Sequence, residues 1–330
     1  MSNQITEELR RRVSPEVITD EPLAPYTNYR IGGPADYLFA APSADLAVAA
    51  VRTALELDLP YYILGGGSNV LVSDGGFRGL VIRMANRGIE IDGSRVRVEA
   101  GTPTALLSLK TTEAGLTGFE WAIGLPGTVG GAIRGNAGCY GGSAGEFVDV
   151  VSCLRDGKAV EMTRAECGFG YRQSAFKSDP SRVVLSVVMT LRIAEDAADG
   201  LARLKEILND KRSTQPAGQS TAGCVFKNWR PESPEDLDGL RRWLDLDSGE
   251  TVPVTADGIV PAGWILDRAQ LKGTKVGHVS VSDRHANFFI SDGQASAEEV
   301  VQLIALVKSR LRSQTQGRVI LLEEIEYVGF

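Results

Sequence analysis

Apolar residues recur with two different periods along this chain, and the places where the period changes outline its elements. From Ser43 onward, Val48, Val51 and Leu55 return at helical spacing, and Ser43 can accept a bond from the first turn, which predicts a helix ending near Leu57. A short apolar run at 61–64 predicts a strand, and the run at 70–72 predicts a second extended segment. Between them lie Gly65-Gly66-Gly67-Ser68-Asn69, so these glycines join two extended segments and do not open a helix. Residues 80–83 predict a further strand, and 89–91 and 96–98 flank Asp92-Gly93 as a hairpin. Thr104 to Ala114 reads as a helix closed by Gly115. Alternation over 148–154 predicts a strand turned at Asp156-Gly157, and 183–193 predicts another long strand.

A helix over 201–211 runs out before Gln215-Pro216, which marks a domain boundary. Further on, Ser296-Ala297-Glu298-Glu299 has the form of a capping box. It would start a helix with Val300, Ile304, Val307 and Leu311 on its inner face. A final strand is expected over 319–328. The fold class expected is α+β. Its organisation reads as residues 1–85 and 86–213 forming two parts of one domain, 214–316 a smaller separate domain, and 317–330 a strand able to pack back on the first part.

Composition narrows the function. The chain has 330 residues, 43% of them hydrophobic and 23% charged, with a net charge of −7, which disfavours nucleic acid or a membrane surface as partner. No apolar run nears the ~18 residues of a membrane span. Residues 1–12 are charged throughout and lack the apolar core of a signal peptide, so a cytoplasmic location is expected. Cys139, Cys153, Cys167 and Cys224 lack close metal-ligand spacing and read as thiols. His278 and His285 have no carboxylate or second histidine at ligand spacing, so no metal site is expected; His285 could line a pocket.

Two glycine-rich stretches exceed what turns require. In Gly65, Gly66 and Gly67, successive glycines let backbone N–H groups converge on phosphate oxygens, and Ser68 and Asn69 add side-chain donors. A tight strand–strand turn is the plain alternative. The pattern is neither a dinucleotide fingerprint at a helix start nor a Walker loop. The second stretch, Gly124-Leu125-Pro126-Gly127-Thr128-Val129-Gly130-Gly131-Ala132, suits close approach of backbone to a large flat ligand, with Gly127, Thr128, Val129 and Gly131 as candidates.

With Tyr26-Thr27-Asn28-Tyr29-Arg30-Ile31-Gly32-Gly33-Pro34-Ala35 ahead of them, these stretches resemble the flavin domain of the vanillyl-alcohol-oxidase (PCMH) type. Gly170-Tyr171-Arg172-Gln173-Ser174-Ala175-Phe176-Lys177, Ala222-Gly223-Cys224-Val225-Phe226-Lys227-Asn228, and the blocks around 262–273 and 285–288 follow in order. Together they resemble the UDP-N-acetylenolpyruvoylglucosamine reductase family over nearly the whole chain. The resemblance implies a two-part FAD-binding domain and a smaller C-terminal α+β substrate-binding domain. It also implies FAD as cofactor and NADPH as co-substrate. The expected reaction reduces UDP-N-acetylglucosamine enolpyruvate to UDP-N-acetylmuramate for peptidoglycan and cell-wall synthesis. No nucleic-acid or membrane partner is expected, and the chain is expected to act as a monomer.

Hydride delivery to the enolpyruvyl methylene carbon leaves carbanion character on the next carbon, shared with the attached carboxylate. Such a site needs a cation at the carboxylate and an acid at the carbanion. By resemblance Arg172 binds the carboxylate, a task suited to its planar fork; an arginine paired with a surface acid is the bland alternative. Tyr171 would contact substrate and Ser174 support the site. Cys224 aligns with the family's proton donor, serine in many members, and a thiol near pKa ~8.5 releases a proton more readily than an alcohol. An inert buried cysteine is the alternative. Glu324 matches the catalytic glutamate, with Glu326 a rival on the same face of the expected strand and Glu323 on the other. Glu324 could act protonated, bonding the enediolate, or ionised, orienting Arg172. Lys227, Asn228, Arg268, Lys272 and Lys275 are candidate substrate contacts, with solvated surface charge an equal reading for the last three. Only 52 positions separate Arg172 from Cys224, which resembles the shorter subtype without an extra loop. A flavin oxidase of the same domain type has no need of the Arg172, Cys224 and Glu324 set. A silent nucleotide-sugar-binding protein would purify colourless and fail to take up FAD.

Overall fold

The computed structural model describes residues 2–247 and 249–330. It divides into two compact units interleaved in sequence. The first unit comprises the N-terminal segment through Glu21, Pro34–Gly67 and Phe77–Ser213; the second comprises Pro22–Gly33, Ser68–Gly76 and Thr214–Phe330. Short local patterns cannot assign 22–33 and 68–76 to the C-terminal unit, because their partners lie far away in sequence.

In the first unit, Pro34–Ala41 and Tyr61–Leu64 both pair in parallel with Phe77–Met84. The helix Ala44–Glu56 makes the crossover, with Ser43 accepting from Leu46 N at 3.3 Å. Its buried face is Ala47, Ala50, Val51 and Ala54, whereas Leu55 is half exposed. Small residues are what face the core here, so counting large apolar residues misplaces the stripe. A second sheet in this unit is antiparallel, in the order Lys158–Thr163, Val148–Arg155, Val183–Thr190, Arg95–Glu99, Ile89–Asp92. In its edge hairpin Asp92 pairs with Arg95, so the turn is Gly93-Ser94, one residue later than expected. The expected 183–193 strand breaks after Thr190, and Arg192–Ile193 pairs instead with Leu116–Thr117. The helix expected over 201–211 extends over Ala197–Thr214. A helix over Ser2–Arg12 has no counterpart in the apolar pattern; Leu9 is its fully buried residue.

In the second unit, Glu326–Val328 pairs in parallel with Val70–Val72, and Lys275–Val276, Val279–Val281 and Phe289–Ser291 form an antiparallel sheet. Residues 319–325 are not a continuous strand, so two-residue alternation does not sort Glu323, Glu324 and Glu326. The helix Ala297–Gln314 buries Val300, Ile304, Val307 and Leu311 as expected. Its N-terminus is capped twice: Ser296 and Glu299 form the capping box, and Asp74 accepts from Ala297 N (2.9 Å) and Glu298 N (3.2 Å). Gly33 N donates to Ser73 O at 2.9 Å, and a Cβ on Gly33 would stand 2.1 Å from Asp74 O, so a side chain there cannot coexist with this contact.

Tyr29 is fully buried in the second core, and its hydroxyl has no hydrogen-bond partner among the described residues. An orphaned buried hydroxyl costs roughly 1–3 kcal/mol. Tyr29→Phe should therefore match or exceed the parent chain in stability, by about 1 kcal/mol, in urea denaturation; a clear loss would show the hydroxyl is satisfied.

Candidate active site

The two glycine stretches meet within the first unit. A Cβ on Gly66 would lie 2.5 Å from Gly127 Cα, and one on Gly65 would lie 2.7 Å from Thr128 Oγ1. Only glycine lets these two loops touch. Gly127 itself has φ +110°. The loop is pinned from behind: Thr104 Oγ1 donates to Leu125 O (2.6 Å), Val129 N to Thr102 O (2.9 Å) and Gly130 N to Ala100 O (2.8 Å). Val129 N–H is therefore spent on the scaffold and is not aimed at a ligand. Gly131 is exposed, a Cβ on it would meet Thr128 Oγ1 at 3.7 Å, and that hydroxyl is buried without a partner among the described residues. Backbone at closest approach plus a hydroxyl in need of an acceptor fits a cofactor held by main chain. Ser68 and Asn69 belong to the second unit. There Asn69 Nδ2 donates to Glu324 O at 3.0 Å, and Asn69 O accepts from Glu326 N at 3.0 Å. Asn69 thus braces the C-terminal segment, a task its place beside the glycines did not suggest.

Arg172 lies in the first unit, at the third position of a tight turn in which Gly170 and Gln173 exchange backbone bonds of 3.0 and 3.2 Å. Its φ is +52°, a left-handed conformation that is costly for a side-chain-bearing residue and is held only where surroundings dictate it. Those surroundings are specific. Asn136 Nδ2 donates to Gly170 O (2.8 Å), Arg172 Nη2 donates to Gly138 O (2.8 Å), and Ser174 Oγ donates to Arg134 O (2.6 Å). Tyr171 is 41% exposed, with the guanidinium 5.4 Å from its ring centroid.

Cys224 and Glu324 lie in the second unit on adjacent backbone rungs. Glu324 N donates to Val225 O (2.7 Å) and Lys227 N to Leu322 O (2.8 Å), while Cys224 pairs with Phe288 on the other side. Asn287, buried, clamps Phe226 twice, accepting from its N at 2.9 Å and donating to its O at 2.8 Å. Nothing in the local sequence marks Asn136 or Asn287 for these tasks, since each acts on backbone many residues away. Glu323 is engaged by Lys308 Nζ (2.6 Å) and the Tyr327 hydroxyl (2.8 Å), a structural assignment. Lys227 is half-buried, and Asn228 Oδ1 caps the helix Ala262–Arg268 by accepting from Ala262 N at 3.1 Å. Arg268 pairs with Glu250, and Lys272 with Asp267 at 2.9 Å. Lys275 lines an open groove with His278 and Asp292. Asn228 and Arg268 are thus bonded within the second unit, and Lys275 stands at the groove.

Cys153 and Cys167 are fully buried, and burial raises their thiols to about 11 and about 12, in keeping with inert cysteines. Cys139 is raised in the same way, while Lys211 and Arg172 pull it back. The His285 ring lies against Gly263 and edge-on to Phe288 at 4.8 Å, and burial pushes its pKa below the ordinary value. Among the described residues no three metal-ligating side chains cluster, and no helix is long and apolar enough to cross a membrane.

Two family models match the chain: an FAD binding domain over 35–162, and the C-terminal domain of UDP-N-acetylenolpyruvoylglucosamine reductase over 215–328. The chain is similar to a UDP-N-acetylenolpyruvoylglucosamine reductase of Rubrobacter xylanophilus, 37% identical over 306 residues, 92% of this chain and 93% of the relative. Among solved structures it is similar to the UDP-N-acetylenolpyruvylglucosamine reductase of Thermus caldophilus, with TM-score 0.73 and 30% identity over 95% of this chain and 98% of that one. It also shares its fold with 6-hydroxy-D-nicotine oxidase of Arthrobacter nicotinovorans, with TM-score 0.53 and 14% identity over 92% and 86% of the two chains. Fold and glycine loops together define a flavin-dependent oxidoreductase with a PCMH-type, α+β architecture. The cofactor is FAD, and the two touching loops have the close backbone and buried hydroxyl that suit such a group. Within that class, the chain belongs to the UDP-N-acetylenolpyruvoylglucosamine reductase family, whose NADPH-driven reaction serves peptidoglycan synthesis.

Gly66→Ala should separate the two glycine loops and yield protein depleted of flavin by absorbance, whereas Gly135→Ala, where a Cβ meets nothing within 4 Å, should retain it. Equal flavin content in both would mean the loop contact does not hold the cofactor. For His285 the sign follows from burial. The folded chain binds fewer protons there than the unfolded one, so stability should rise with pH through the window below about 6.5. His285→Gln should flatten that rise in denaturation measured at several pH values.

Proposed function

We propose that in this reductase Arg172 binds the enolpyruvyl carboxylate, Cys224 is the proton donor, and Glu324 stabilises the charge that develops between hydride arrival and protonation. The observation that carries the reading is the bond from Glu324 N to Val225 O (2.7 Å), which sets the carboxyl-bearing residue on the rung beside the thiol-bearing one. The two glycine loops would hold FAD, which would supply to the methylene carbon of the substrate a hydride taken from NADPH. The carbon–carbon π pair then moves onto the carbon next to the carboxylate and is shared with the carboxylate oxygens. Arg172 meets that charge with two N–H donors in one plane. The Cys224 S–H bond breaks, its proton goes to the carbanion carbon, and the thiolate regains a proton from solvent. Glu324 stabilises the enediolate oxygens as they take up charge.

The turn supports the role of Arg172 independently. A left-handed arginine, bonded to a carbonyl 34 residues away, is strain of the kind that functional positions retain. Lys227 and Asn228, directly after the donor, are proposed to face the nucleotide-sugar. Arg268 and Lys275 would contact its diphosphate.

Cys224→Ser should keep appreciable turnover, while Cys224→Ala should lose about 100-fold or more, the usual worth of a positioned acid. Flavin reduction by NADPH should be unchanged in both. Wild-type turnover in Cys224→Ala would remove the thiol from the mechanism.

A further inference from the structure

Within the first unit, the carbonyl that holds Arg172 belongs to a very small hairpin. Gly138–Cys139 pairs with Gly142–Ser143, and Tyr140-Gly141 form the two-residue turn, with φ of +51° and +82°. This turn suits asparagine or glycine at its first position, and a tyrosine there is strained. One side of the hairpin packs on Trp121: a Cβ on Gly142 would stand 2.3 Å from that indole, and Cys139 Sγ donates to Trp121 O at 3.4 Å. Its tip is tied elsewhere. The Tyr140 hydroxyl donates to Asp210 Oδ2 at 2.6 Å, and the Lys211 ammonium lies 5.7 Å from the Tyr140 ring centroid. Asp210 and Lys211 belong to the last turns of the helix Ala197–Thr214.

We infer that Asp210 is a positioning residue for the reduction step: through Tyr140 it fixes the 138–143 hairpin, and the hairpin's Gly138 carbonyl fixes the plane of the Arg172 guanidinium. The path runs through two hydrogen bonds and one strained turn, from helix to hairpin to arginine. Asp210 itself touches neither substrate nor cofactor in this scheme. A fork that must meet two carboxylate oxygens tolerates little rotation, so slack at the hairpin tip reaches the chemistry. The inference rests on the carboxylate-binding role proposed for Arg172.

The test uses the full-length FAD-loaded enzyme in anaerobic stopped flow, reading flavin reduction by NADPH and then reoxidation by UDP-N-acetylglucosamine enolpyruvate. Asp210→Ala and Tyr140→Phe should each slow reoxidation on the order of tenfold while leaving flavin reduction at its parent rate. The double variant should be no slower than either single one, because both cut the same link. Asp210→Asn, which keeps an acceptor oxygen, should restore most of the rate. Normal reoxidation in Asp210→Ala, additive losses in the double variant, or no rescue by Asp210→Asn would overturn the inference. So would equal slowing of both half-reactions together with a lowered melting temperature. Arg172→Lys in the same assay separates the two readings. If it reoxidises normally, the arginine's role and this inference fall together; if it is slow while Asp210→Ala is normal, only this inference falls.

Discussion

The second unit depends on one arrangement of main chain. Residues 224–227 lie with 287–288 on one side and 322–324 on the other, and each contact is a backbone bond or a side-chain amide bonded to backbone. Backbone bonds have fixed spacing, so they set which residues share a rung more strictly than apolar packing does. Asn287 and Asn69 extend that control by bonding the carbonyls of Phe226 and Glu324. Moving the 322–324 segment by one residue would put Glu323 in place of Glu324 opposite Val225.

The first unit solves a different problem with different means. There the functional backbone must come close, and the constraint is steric. Gly65 and Gly66 touch Gly127 and Thr128 at distances no Cβ allows, and the loop is braced from behind by Thr102, Thr104 and Ala100. The arginine turn of the same unit is held by Asn136 and Gly138, against its own conformational preference. Rigid scaffold bonds and local strain are complementary here, since the strain persists only because the scaffold over-determines it.

Much of this was legible in the sequence, for reasons that differ by element. The helix at Ala297–Gln314 announces itself through a capping box and a clean apolar stripe. The glycine loops stand out because glycine has few other reasons to cluster. Three features were not legible. The crossover helix hides its buried face behind alanines. The 319–328 run looks like one strand, yet only its last three residues pair as one, because 319–325 take isolated contacts from other segments. Asn69, Asn136 and Asn287 act on partners up to 255 residues away, and no local window contains such a relation.

The order of segments carries one more consequence. The chain passes from one unit to the other five times, at residues 21/22, 33/34, 67/68, 76/77 and 213/214. A fragment beginning at Thr214 would keep Glu326–Val328 but lose Val70–Val72, its hydrogen-bonded neighbour, and lose Asp74 from the start of the long helix. Its sheet edge and its helix end would both stand bare. Neither half can be excised, swapped or inherited as a continuous cassette, so gene fusions and truncations in this protein must respect all five crossings at once.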